Sequence, residues 1–125
     1  MATIKAYTNL QQSKKLAEIL PIDSADMYYF RQMDSDYFPP DVESICPIPL
    51  FKDGKEDFNY DIRCWSLAAL LGVLTENKIC HYDDRYYCQY MSEGDEFPIY
   101  STAEYDNPVD ACVAMIEKLH ELKML

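Results

Sequence analysis

Apolar residues recur at helical spacing at both ends of this chain and alternate in its middle. The closing stretch, Asp106 to Leu125, carries Val109, Cys112, Val113, Ile116 and Leu119 on one stripe, so it reads as an amphipathic helix. Asn107 is a good N-cap, Pro108 suits the first helical position, and Asp110 faces the positive end of the helix dipole. Near the start, Leu10, Leu16, Ile19 and Leu20 give a partial stripe over about Asn9 to Leu20, with Thr8 and Gln11 at capping-box spacing and Pro21 as the stop. A second short helix is expected at or just before Ser24, carrying Ala25, Met27 and Tyr28. Cys64 to Thr75 reads as a short, nearly all-apolar helix. Ser66 is its cap, and Trp65 and Leu70 have the spacing of a hydrophobic staple. Leu67, Leu70, Leu71 and Leu74 share one face, Ala68, Ala69 and Val73 cover much of the rest, and Gly72 suits a close neighbour. Such a helix belongs at the centre of a core.

Lys78 to Met91 is too aromatic and too weakly helical in period for a helix. It reads as two strands joined at Asp83-Asp84. In that register Ile79, His81, Tyr86, Cys88 and Tyr90 share the core face. Lys78, Cys80, Tyr82, Arg85, Tyr87 and Gln89 share the other. Glu93-Gly94-Asp95 is a turn, and Phe97 to Thr102 supplies a third strand. Residues 34–50 hold Pro39, Pro40, Pro47 and Pro49, which block helix and interrupt strand pairing. Asp53-Gly54 is a favoured hairpin turn, joining a strand near Ile48–Lys52 to one near Asp57–Ile62. The fold class is therefore α+β, a single domain over residues 1–125. Its antiparallel sheet of three to five strands packs with two main helices in helix–helix–meander–helix order, like an α/β/α sandwich.

Composition narrows the function more than it names one. At 125 residues, with 49% hydrophobic side chains, the chain can bury a core without a metal or disulfide staple. No apolar run is long enough for a membrane span. The opening residues lack the apolar core of a secretory signal, so a cytoplasmic location is expected. The formal charge is −11, with 22 acidic and 11 basic residues. Such a surface repels phosphate backbones, which argues against direct nucleic-acid binding and favours a basic partner. The acidity is spread evenly along the chain. The five cysteines are odd in number, form no CxxC pair and read as buried free thiols.

Three stretches, IDSADMYY (Ile22 to Tyr29), CWSLAALLGVL (Cys64 to Leu74) and DNPVDACVAMIEKLHELKML (Asp106 to Leu125), occur in this order. Together they resemble a family of small uncharacterised proteins of gut anaerobes, often carried on phage or other mobile elements. Its members have an ADM-aromatic segment, a W-S/T-L-x-x-L-L helix, a tyrosine-rich hairpin and an NPVDACV-M-I-x-L helix. The stretches cover 39 of the 125 residues, and the region from Asp34 to Asp61 departs from the pattern. The resemblance implies no activity, substrate or catalytic residue.

Candidate chemistry is sparse. Cys88 and His81 share a face and are the pair a thiol-dependent enzyme would use. Packed thiols are the commoner explanation. Metal sites lack their short ligand loops, the acidic loops lack the calcium pattern, and three scattered glycines make no phosphate loop, so neither metal nor cofactor is expected. Asp83-Asp84 and Asp95-Glu96 are explained as turn residues. Eleven tyrosines remain, and tyrosine suits interfaces because it joins large area to a polar tip. Tyr28, Tyr29, Tyr82 and Tyr87 are the candidate binding surface. The leading expectation is a small accessory or adaptor protein that binds another protein. The alternatives are the Cys88/His81 enzyme and a self-associating structural module, that is, a homo-oligomer.

Overall fold

The computed structural model describes residues 5–30, 47–49, 61–91 and 98–125. Helix α1, Leu10–Ile19, starts one residue later than the Thr8 cap predicts. Asn9 is the cap: its side chain accepts from Gln12 N–H at 2.8 Å, and Gln12 Oε1 accepts from Asn9 N–H at 3.1 Å. This closes a capping box with Gln12 in place of Gln11. Thr8 is released for a buried role. A single 3₁₀ turn, Ile22–Ser24, replaces the expected second helix. Met27 and Tyr28 instead enter strand β1, Met27–Phe30, where β-favouring aromatics find partners on both sides.

The strands form two antiparallel sheets of three rather than one. In the first, β1 lies between β2, Ile48–Pro49, and β3, Asp61–Cys64. The Asp53-Gly54 turn lies outside the described residues. The two strands it was expected to join flank β1 on opposite sides instead of pairing. Cys64 thus closes a strand rather than opening a helix. Helix α2 runs Leu67–Val73, capped by Ser66 Oγ, which accepts from Ala69 N–H at 3.2 Å. Trp65 and Leu70 are both fully buried in one cluster, as a staple requires. The helix is nevertheless one-sided: Leu71 is 42% exposed, and a Cβ on Gly72 would meet nothing within 4 Å. Seven residues are too few to be enclosed on every side.

The second sheet is the meander β4, Asn77–Tyr82, β5, Arg85–Met91, and β6, Pro98–Ser101. Asp83 and Asp84 make the two-residue turn with φ of 53° and 60°, left-handed values that a primed hairpin turn demands and Asp tolerates. The pairs Ile79↔Cys88 and His81↔Tyr86 fix the predicted faces. Helix α3, Pro108–Glu121, lies on the Cys88 face and packs against β5 and β4. It buries eight of its fourteen residues, including Val109, Met115, Ile116 and Leu119, and so centres the main core. Leu16 of α1, Leu20 just after it, and Trp65, Leu70 and Leu74 around α2 complete that core.

Two polar joints hold these parts together. Thr8 is fully buried between α1, β1 and β3. Its N–H donates to Trp65 O at 3.0 Å, and its Oγ1 accepts from Trp65 N–H at 3.2 Å. Its hydroxyl also bonds Ser13 Oγ at 2.8 Å, and its carbonyl accepts from Tyr29 OH at 2.7 Å. The second joint links the starts of α1 and α3. Asp110 Oδ1 accepts from Lys5 Nζ at 2.9 Å and Gln12 Nε2 at 2.8 Å, and Asp110 Oδ2 accepts from Asn107 Nδ2 at 2.8 Å. Burial alone would raise the Asp110 carboxyl. The hydrogen bonds from Lys5, Gln12 and Asn107 outweigh it and hold the carboxyl below its ordinary range.

Thr8→Val keeps the shape at the first joint but strands Trp65 N–H. It should cost about 1–3 kcal/mol in urea unfolding, with an unchanged slope. A depressed carboxyl pKa stabilises the fold above the ordinary value of 3.8, and that contribution is lost as pH falls through the folded value. Asp110→Asn should therefore cost about 1–2 kcal/mol at neutral pH. The gap from the parent protein in urea midpoint should narrow as the pH is lowered toward 3, roughly one unit below the ordinary carboxyl value. A gap that is constant or widens in acid would contradict the joint.

Candidate functional site

The alternation of the meander sorts the candidate residues. On the core face Cys88 is fully buried beneath α3, and its Sγ lies 3.8 Å from Asn77 Oδ1 and beside the Cys112 thiol. The hydrogen bond to Cys88, and then burial, push the Cys112 thiol far above its ordinary range. The same bond favours the thiolate at Cys88, while burial opposes it. His81 lies on this face but at its exposed end, stacked on Tyr86 with ring centroids 4.2 Å apart and planes 5° apart. Its ring interaction is with Tyr86 rather than with the Cys88 sulfur. Cys64 is also buried, and desolvation raises its thiol. Among the described residues, no three His, Cys, Asp or Glu side chains are grouped to hold a metal ion, and every buried side-chain polar atom has a partner.

The tyrosines divide. Tyr29 is only 2% exposed, because alternation along β1 turns it inward to Leu10 and Cys64 and its hydroxyl is used by Thr8. The expectation that it is a surface contact is thereby corrected. Tyr28, its neighbour on β1, is half-buried on the opposite face. Tyr82 is 75% exposed at the end of β4. Tyr87, half-buried, is the cross-strand partner of Cys80 on the face turned away from α3. A hydrogen bond with Cys80, with Glu104 charge as a lesser contribution, raises the Tyr87 phenol.

That outer face continues onto β6. Gln89 pairs with Ser101 and Met91 with Pro98, and the register shift between Tyr90 and Met91 leaves Ile99, 46% exposed, as the extra residue on β6 beside this face. Half-buried Met91 lies at the same end of the sheet. The face therefore runs from Tyr82 at one corner, past Cys80, Tyr87 and Gln89, to Ile99 at the other. Ile99 was missed in the sequence because only the register of β6 reveals its side.

A groove of about 260 Å³ opens on the other side, between β6 and α3. Its lining includes Tyr100, Thr102, Tyr105, Ala114, Met115 and Lys118. It opens where the chain leaves β6. From Ser101 opposite Gln89 to Tyr105 opposite Tyr86, the chain advances four residues against three on β5. One extra residue is the signature of a bulge. Thr102 holds its base: its N–H donates to Cys88 O at 2.9 Å, and its Oγ1 accepts from Cys88 N–H at 2.9 Å.

No protein-family model, no curated protein and no solved structure matches the chain. No described helix is long and apolar enough to cross a membrane.

Iodoacetamide labelling read by mass spectrometry should order the described thiols. Cys80, half-buried on the outer face, should react first. Cys64, Cys88 and Cys112 should react only when the protein is unfolded. Rapid native labelling at Cys88 would revive the thiol-enzyme reading.

Proposed function

We propose that this protein is a small accessory or adaptor protein of the cytoplasm, encoded on a mobile element, that acts by binding another protein through the outer face of its meander sheet. The observation that carries this reading is the exposure of Tyr82 and Ile99 on a face whose reverse is anchored under α3. Aromatic and aliphatic anchors on a rigid support are what interface centres are made of. Asp83 and Asp84 lie beside Tyr82, and the Glu104 charge is felt at Tyr87. A partner with an apolar centre and a basic rim complements this arrangement, and the overall charge of −11 speeds its encounter at low salt.

A photo-crosslinking side chain at position 82, introduced in cells that express the protein, should give one predominant adduct. Ile99→Glu should abolish that adduct while shifting the melting temperature by no more than about 3 °C, as surface changes do. Loss of the adduct only when the protein unfolds, or crosslinking to the protein itself, would replace this reading with self-association.

A further inference from the structure

The groove between β6 and α3 has the chemistry of a small-ligand site, independent of the outer face. Its volume of about 260 Å³ falls just below the roughly 300–1,000 Å³ of drug-sized pockets, so it suits a ligand with one ring. Tyr100 and Tyr105 supply aromatic walls, and Met115 and Ala114 an apolar floor. Lys118 is the one charged residue of the lining and makes no ion pair among the described residues. Its helix neighbour Glu117 is engaged by Lys15 at 3.5 Å. The Thr102 hydroxyl is already committed to Cys88 N–H and Ala103 O, so it is not available as the orienting group. That leaves Lys118 and the tyrosines as the lining side chains that can recognise a ligand by charge or by ring.

From this we infer that the groove binds a small aromatic carboxylate, its ring between Tyr100 and Tyr105 over Met115 and its carboxylate on Lys118. The aromatic walls select the ring, and the unpaired ammonium selects an anion in a protein whose surface otherwise repels one.

The test is an NMR titration of the full chain with phenylacetate and, separately, phenylacetamide, followed through the methyl signals of Ala103, Ala114 and Met115. Phenylacetate should move these signals and bind about fivefold more tightly than the amide, the scale of one partly exposed ion pair. Lys118→Met should erase that preference while retaining weak binding of both compounds. Ala114→Phe should fill the groove and prevent either from binding, with the fold checked by its unchanged remaining spectrum. Equal affinity for acid and amide in the parent protein, shifts confined to other surfaces, or no shifts with millimolar ligand would overturn the inference.

Discussion

Thr8 is the constraint on which the rest of the structure depends. The segment before α1 has no sheet of its own, yet it must meet the corner where β3 turns into α2. The Thr8–Trp65 backbone exchange, the bond from Leu67 N–H to Ala6 O at 2.9 Å, and the Tyr29 hydroxyl on Thr8 O bind it there. Thr8, Trp65 and Tyr29 are buried, so satisfying their polar groups is worth more than the same bonds at the surface. The small cluster of Leu10, Tyr29 and Cys64 is too modest to support the first sheet alone. The joint fastens that sheet to the larger core through Trp65, which also reaches the 3₁₀ turn by donating from Nε1 to Ser24 Oγ at 2.9 Å.

Once α1 is fixed, α3 follows. Gln12 both completes the α1 capping box and donates to Asp110, so one side chain aligns two helix starts. Helix α3 then serves the second sheet twice. Its buried stripe supports Cys88, Ile79, Tyr86 and Tyr90 from beneath, and its flank, Ala114 and Lys118, forms one wall of the groove. The outer face and the groove inherit their rigidity from this one helix.

Much of this was legible in the sequence because it rests on local signals. The Asn107-Pro108 start of α3, the Ser66 cap, the Asp83-Asp84 turn and the two faces of the hairpin all follow from caps, turn residues and period. The α+β class follows with them. What was not legible depends on distant partners. Met27 and Tyr28 read as helix because with Ala25 they suit a continued turn, and only pairing with β2 and β3 makes them a strand. Cys64 read as helix because the apolar run continues through it, while its fate is set by pairing with Met27. Leu71 looked buried because the apolar pattern of α2 wraps most of the helix, yet a helix this short offers its neighbours one side. The groove was invisible for a related reason: the extra residue between Ser101 and Tyr105 appears only when both are matched to β5.

The arrangement separates chemistry from access. Three of the described thiols, Cys64, Cys88 and Cys112, are placed where neither solvent nor substrate reaches. Apart from half-buried Cys80, the groups that line the two surfaces are tyrosines, a lysine and aliphatics, which recognise rather than react. Strand β6 divides them: Ile99 is exposed beside the face that carries Tyr82 and Tyr87, and Tyr100 lines the groove with Tyr105 and Met115. Side chains on one surface are thus absent from the other, so each can be altered alone. Both nevertheless share one backbone strand, and a ligand that tightens Tyr100 against α3 restrains the same strand that presents Ile99. Coupling between the two surfaces can pass through β6, which carries side chains of both, or through α3, which supports the sheet and lines the groove.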